Sequence, residues 1–235
     1  MELILHAILQ EISMVITIDG PVASGKSTAA RKLAARIGYY HFSSGLLYRA
    51  LGYLLVHDSN YTLDRLYSPD PQDIEYYLAP ERFVCTFDAG GKFHILWKGT
   101  DLVPLLKDKQ IDQWASIISM NSLVRDRMLA LQRLLGRTYN LVVDGRDSGS
   151  VVFPDAKLKF FLTASLEVRA KRWQQTQQSL GNTVSLSEVL HEIQERDERD
   201  KNREIAPLIV PENAIIIDNS GQSVHETVEW MVSYY

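Results

Sequence analysis

Residues 20–27, Gly-Pro-Val-Ala-Ser-Gly-Lys-Ser, fit the pattern G-x-x-x-x-G-K-[ST], and their flanks narrow the fold further. The β-branched apolar run at 14–19 reads as a buried strand, and Lys26 to Ile37 reads as a helix stopped by Gly38. Strand, glycine loop and helix then follow in order. Glycines let such a loop curl so that successive N–H groups point inward as an anion nest, to which the helix adds its dipole. Gly20, Pro21, Val22, Ala23, Ser24, Gly25, Lys26 and Ser27 are therefore predicted to form a phosphate-binding loop. Lys26 is expected to reach the β- and γ-phosphates, and the Ser27 hydroxyl to take a place on Mg²⁺.

Downstream, apolar strand-like runs at 139–144, 158–162 and 214–218 alternate with helical stretches at 44–57, 113–136, 165–178, 185–203 and 222–233. Strands alternating with helices predict an α/β, P-loop NTPase fold, a parallel sheet with helices on both faces. One stretch differs. Residues 71–112 carry Pro71 and Pro80, and an alternating pattern breaks at Asp88-Ala89-Gly90-Gly91, which predicts a hairpin and a small β-containing insert. The Gln-rich segment near 174–184 is expected to be a short lid. The expected division is an N-terminal extension at 1–13, a core at 14–70 and 113–235, and the insert at 71–112.

The totals exclude several classes. With 235 residues, 46% of them hydrophobic, the chain has the size of one α/β unit. A net charge of −4 argues against general binding of nucleic acid, so any anion site must be a local cluster. Cys85 is the only cysteine, which rules out an intrachain disulfide and fits a reducing, cytoplasmic setting. No apolar run reaches the ~18–20 residues of a membrane span. Residues 1–13 contain Glu2 and no Lys or Arg, unlike a secretory leader; they read either as an extra helical turn or two or as an artefact of a start site upstream of Met14. A monomer is expected.

Four further clusters carry candidate chemistry. Asp144 ends a buried strand, where it either closes a turn or holds Mg²⁺ directly or through water. Arg146 and Asp147 follow directly, at the carboxyl end of a strand where ligands bind in open α/β sheets; Arg146 suits a phosphate, or closes the turn by an Arg–Asp pair. On the helix at 185–203, Val189, Ile193, Arg196, Asp200 and Arg203 share one stripe, apolar first and charged later, with Arg199 beside it. A polyanionic ligand would partner that charge; a solvated face of ion pairs is the alternative. Ser44 either caps the second helix or helps bind an anion there, with Arg49 one turn inside.

Taken together, TIDGPVASGKST, SSGLLYRA, DGRDSGSVVFPDAKLKFFLTAS, RAKR and EIQERDERDKNREIAPL resemble the bacterial cytidylate kinases, the CMP/dCMP enzymes of the nucleoside monophosphate kinase family, from about Ile16 to the C-terminus. The resemblance implies ATP-dependent phosphorylation of CMP and dCMP in pyrimidine nucleotide metabolism, with Mg²⁺ as cofactor. It implies that Ser44, Arg49, Arg146 and Arg196 surround the CMP phosphate. Ser116 and Arg125 would read the cytosine edge with Asp147, and Asp200 and Arg203 would serve the ribose side. It implies that Gly20 through Thr28 hold the ATP phosphates, and it places Arg169 and Arg199 on the ATP side. The family usually has Asp-[Ser/Thr]-Gly where this chain has Ser43-Ser44-Gly45, and often two arginines where Arg172-Trp173 stands. The acceptor would be a phosphate, so Lys26, Arg146, Arg196 and Arg199 are expected to act by spreading charge rather than as bases. A different small-molecule kinase, a nucleotide switch without turnover and an RNA-binding role are the competing readings.

Overall fold

The computed structural model describes residues 14–179 and 181–235. The expected extension at 1–13 therefore lies outside the described residues, as does Leu180 of the expected lid.

β1 (Val15–Asp19) is buried along its whole length, as a strand covered on both faces must be. α1 (Lys26–Ile37) follows the glycine loop and ends at Gly38, whose φ of 73° provides the left-handed cap. β2 (Tyr40–Ser43) leads into α2 (Gly45–His57). The insert begins with α3 (Pro71–Tyr77), where Asp70 caps the Gln72 N–H and Pro71 takes the first helical position. The antiparallel strands β3 (Phe83–Phe87), β4 (Phe93–Trp97) and β5 (Thr100–Asp101) complete it. α4 (Lys109–Ile118) and α5 (Ser122–Thr138) come next, and β6 (Leu141–Gly145) and β7 (Leu158–Thr163) follow. α6 (Leu166–Ser179), α7 (Leu186–Asn202), β8 (Ile215–Asp218) and α8 (Val224–Val232) finish the chain.

Among the described residues the main sheet has the order β2-β6-β1-β7-β8, and every neighbouring pair is parallel. Three clusters hold it. On one face Ala29, Ala30 and Leu33 of α1 meet Ile16, Phe160 and Met231. On the other, Leu47, Leu51 and Leu55 of α2 join Phe42, Ile117 and Met128, and this cluster continues into the insert through Ile74, Tyr77 and Ile95. A third, of Val22, Ala170, Val189 and Ile193, seats α6 and α7 against the glycine loop. Full burial of each large apolar side chain contributes ~1.5–3 kcal/mol.

The α/β architecture and the hairpin at Asp88–Gly91 are as expected. Three elements differ. β2 does not stand out in the sequence because Tyr-His-Phe-Ser is four residues long and half polar. The single helix expected at 113–136 is two, because Asn121 leaves the helical conformation and caps the Val124 N–H. The insert opens with a helix, for which Asp70-Pro71 was the available signal. No helix among the described residues is long and apolar enough to cross a membrane.

Candidate functional site

The parallel pairing brings the carboxyl ends of β1, β2 and β6 to one edge of the sheet: Asp19 lies opposite Gly145, and Ser43 opposite Asp144. A cleft of about 690 Å³ opens there. Its floor is the glycine loop, and the loop's shape explains its composition. A Cβ on Gly20 would sit 2.1 Å from the Leu162 carbonyl oxygen, so β7 leaves room for glycine alone. Gly25 has φ +88° and turns the chain into α1, a conformation costly for any other L-residue. Lys26 lies under the loop and donates from Nζ to the Pro21 carbonyl at 2.8 Å. Burial, then the Arg146 guanidinium, push its pKa well below the usual lysine value.

Asp144 is held at both oxygens. Ser27 Oγ donates to Oδ2 at 2.6 Å and Ser43 Oγ to the same oxygen at 3.2 Å, while His41 Nε2 lies 2.7 Å from Oδ1. Burial opposes the charge, but His41, Ser27 and Lys26 outweigh it and hold the carboxyl below its ordinary pKa.

One wall of the cleft is built from arginines. Arg49, Arg146 and Arg196 line the same cleft as the loop. Arg146 Nε donates to Asp200 Oδ2 at 2.7 Å. Burial disfavours the Arg146 charge, yet Asp200, Asp197 and Asp144 more than compensate and raise its pKa. Arg125 pairs with Asp147 and donates from Nη1 to the Ser119 carbonyl at 3.1 Å. Arg203 Nη2 stands 3.6 Å from the other Asp147 oxygen. Ser116 lines the same wall, and its Oγ is buried without a hydrogen-bond partner.

Val22, Ala23, Gly25, Lys26, Ser27, Thr28, Ser44, Arg49, Ser116, Arg125, Asp144, Arg146, Asp147, Arg196, Asp200 and Arg203 thus gather around one cleft. Arg169 does not. Its Nη1 donates to the Val22 carbonyl at 3.1 Å and to Asp197 Oδ2 at 2.6 Å, and its Nε to Ala164. Asp197 in turn accepts from the Val22 N–H at 3.2 Å. Buried behind the loop, Arg169 braces the loop's backbone from the side away from the cleft lining. Arg199 lines an adjoining cavity of about 440 Å³ between α4, α7 and Trp173. Gly20, Pro21 and Ser24 shape the loop from outside the cleft lining.

Asp19 is buried beneath this site and accepts from the Ser148 and Gly149 N–H groups at 2.9 and 2.7 Å, pinning the turn after β6. Burial pushes its pKa up to about 6. A carboxyl raised on folding adds stability below its unfolded pKa and loses it as pH rises through the folded one. Asp19 should therefore cost about 3 kcal/mol between roughly pH 4 and 6. The pH dependence of unfolding measured for Asp19→Asn should lack that decline.

The family model described as cytidylate kinase matches residues 16–235. The chain belongs to the cytidylate kinase family. A cytidylate kinase of Methylococcus capsulatus is 40% identical over 225 residues, covering 96% of this chain and 98% of the relative. One from Desulforamulus reducens is 35% identical over 219 residues, covering 93% and 95%. An uncharacterized protein of Eubacterium ventriosum shares the fold, with a TM-score of 0.52 at 14% identity over 94% of this chain and 98% of its own. For this member of the cytidylate kinase family, sequence reading assigned no place in the site to His41, Asp112, Arg172 or Asn219, which line or brace the cleft. Arg172 donates from Nη1 to Asn219 Oδ1 and from Nη2 to the Asn219 carbonyl, each at 2.9 Å, and Asn219 Nδ2 donates to the Ser24 carbonyl at 3.0 Å. Asn219 directly follows β8, so its place at a strand's carboxyl end was the usable signal. For His41 the signal was its period-two spacing from Ser43 on one face of β2.

Proposed function

We propose that this protein transfers the γ-phosphoryl group of ATP to the phosphate of CMP and dCMP, giving CDP and dCDP. The observation that carries the reading is the convergence of Arg49, Arg146 and Arg196 on the cleft that the phosphate-binding loop floors. A hydroxyl acceptor would need a base; a phosphate monoester, mostly dianionic at pH 7 with a second pKa near ~6, does not. What it needs is cations that spread the charge of two approaching phosphates. Lys26 serves the donor, Arg146 and Arg196 face the acceptor, and Arg199 acts from the adjoining cavity. Cytosine presents two acceptors beside one amino donor. Arg125 supplies donors for the former, and Asp147 and the unpartnered Ser116 Oγ accept from the latter. Uracil, with a carbonyl in place of the amino group, would face Asp147 with no proton to give. Asp200 and Arg203 serve the ribose side.

Ser27 and Asp144 offer hard oxygens beside the loop, and such a donor set fits Mg²⁺. Among the described residues no group of three or more His, Cys, Asp or Glu could hold a metal, and an ion arriving with the triphosphate needs none. When bound there, Mg²⁺ would supply positive charge to offset that of the triphosphate. Residues 71–112 act as the acceptor-side insert, the segment near 174–184 as the lid, and the enzyme works as a cytoplasmic monomer without nucleic-acid or membrane partners.

Coupled ADP release with CMP, dCMP, UMP, AMP and shikimate tests the reading. CMP or dCMP should be the best acceptor; AMP or shikimate in that place would overturn it. Arg196→Ala should lose at least ~2–3 kcal/mol in kcat/KM for CMP, the scale of one preorganised donor. Near-normal turnover by that variant would remove Arg196 from the reaction.

A further inference from the structure

Asp112, on α4, is an anion placed among the cations of the acceptor wall. Its Oδ1 lies 2.5 Å from Arg49 Nε and its Oδ2 lies 3.7 Å from Arg196 Nη1, with the carboxylate side chain only 15% exposed. It lines both the main cleft and the adjoining cavity. Arg49 and Arg196 are two of the three guanidinium groups assigned above to the acceptor phosphate. The Asp112–Arg196 contact is an ion pair without a hydrogen bond, and Arg196 Nε is buried with no partner. Arg196 lines the cleft and keeps a donor that no protein group occupies. One turn earlier on α4, Lys109 pairs with Glu192, which lies one turn before Arg196 on α7. The same two helices are thus tied at two levels.

We propose that Asp112 sets the affinity and charge selectivity of the acceptor site, as an internal anion that competes with the acceptor's phosphate for Arg49 and Arg196. The inference rests on the reading of this wall as the acceptor-phosphate site. The guanidinium donors that Asp112 holds are closed to the phosphate until the carboxylate gives way, and the two anions are unequal. A carboxylate carries one charge, whereas a phosphate monoester carries roughly −1.5 to −2 at pH 7. A dianionic phosphomonoester displaces Asp112 from both arginines. A singly charged ligand gains little by the exchange, so the site favours phosphomonoester dianions over monoanions. The displaced carboxylate weakens acceptor binding.

The experiment compares the wild type with Asp112→Asn, which keeps the shape and removes the charge, and Asp112→Ser, which removes the reach as well. Competition predicts that both variants lower the KM for CMP at least ~3-fold, since removing one competing ion pair is worth at least several tenths of a kcal/mol. The KM for ATP serves as the control for a general change. Inorganic phosphate, measured by calorimetry and as an inhibitor competitive with CMP, should bind the variants more tightly by a similar factor, while acetate should gain least. Asp112→Glu, which retains the charge, should keep the wild-type weakness. A raised or unchanged KM for CMP in a folded Asp112→Asn or Asp112→Ser protein overturns the proposal, because a carboxylate that only oriented the arginines would be missed. Wild type that fails to use CMP would instead sink the functional reading, and phosphate affinity would still report on Asp112.

Discussion

Lys26→Met should lower kcat for CMP phosphorylation on the order of 10²–10³-fold while leaving the fold intact. The magnitude is that of removing a preorganised charge from a site where charge builds up in the transition state. The substitution keeps the length and apolar stem of the side chain under the loop. It loses the Nζ donor to the Pro21 carbonyl and the cation proposed to face the transferring phosphoryl group. Arg146 already presses on the Lys26 charge, so the loop and the acceptor wall act on one electrostatic field. Removing Lys26 relieves that repulsion, which tempers any loss of stability. Single-turnover measurement separates the chemical step from product release, and thermal unfolding checks the fold. A kcat within tenfold of the wild type would deny Lys26 its role on the phosphates.

The second large effect is expected at Arg125, and it is one of stability as well as recognition. Arg125 and Asp147 are both buried and paired. Truncating Arg125 to alanine leaves the Asp147 charge with Arg203 at 3.6 Å as its remaining ion-pair partner. Stranding one half of a buried pair typically costs ~3–5 kcal/mol. Replacing both halves, as in Arg125→Met with Asp147→Leu, should recover part of that stability, because neither member of the pair is left without the other, while Arg203 loses its Asp147 partner. The double variant should still fail to select CMP, having neither the donors nor the acceptor for the cytosine edge. Denaturant unfolding of the single and double variants, with acceptor panels on each, separates the two roles. A double variant that regains both stability and cytosine preference would mean the pair is structural only.

The phosphate loop was legible in the sequence because each of its requirements is local. A glycine where the chain curls, a lysine at the helix start and a β-branched run before it all fall within fourteen residues. The charged stripe on α7 was legible for a related reason. Helical spacing alone puts Val189, Ile193, Arg196 and Asp200 on one face, and the first two are indeed core residues while the latter two meet the cleft. Arg169 shows where this stops. Spacing assigns a residue to a helix face but not to its partner, and its partner Asp197 comes from another helix. Asp112 was missed for the opposite reason. An aspartate in an amphipathic helix looks solvated until the fold brings Arg49 and Arg196 to it from two other helices. His41 sits in a strand too short to register as one, and its hydrogen bond to Asp144 spans 103 positions.

The position of β1 in the middle of the sheet has a consequence for biosynthesis. Its two neighbours begin at Leu141 and Leu158, so the strand that carries the loop has no flank until more than half of the chain exists. Gly20 then packs against the Leu162 carbonyl, and the far side of the loop is tied to Asn219. Pairings of such sequence separation close late, after the entropy of long loops has been overcome. A nascent chain emerging from the ribosome therefore carries the whole glycine motif well before the segments that brace it, which reach as far as Asn219. ATP cannot act as a ligand chaperone for the segment made before Leu141.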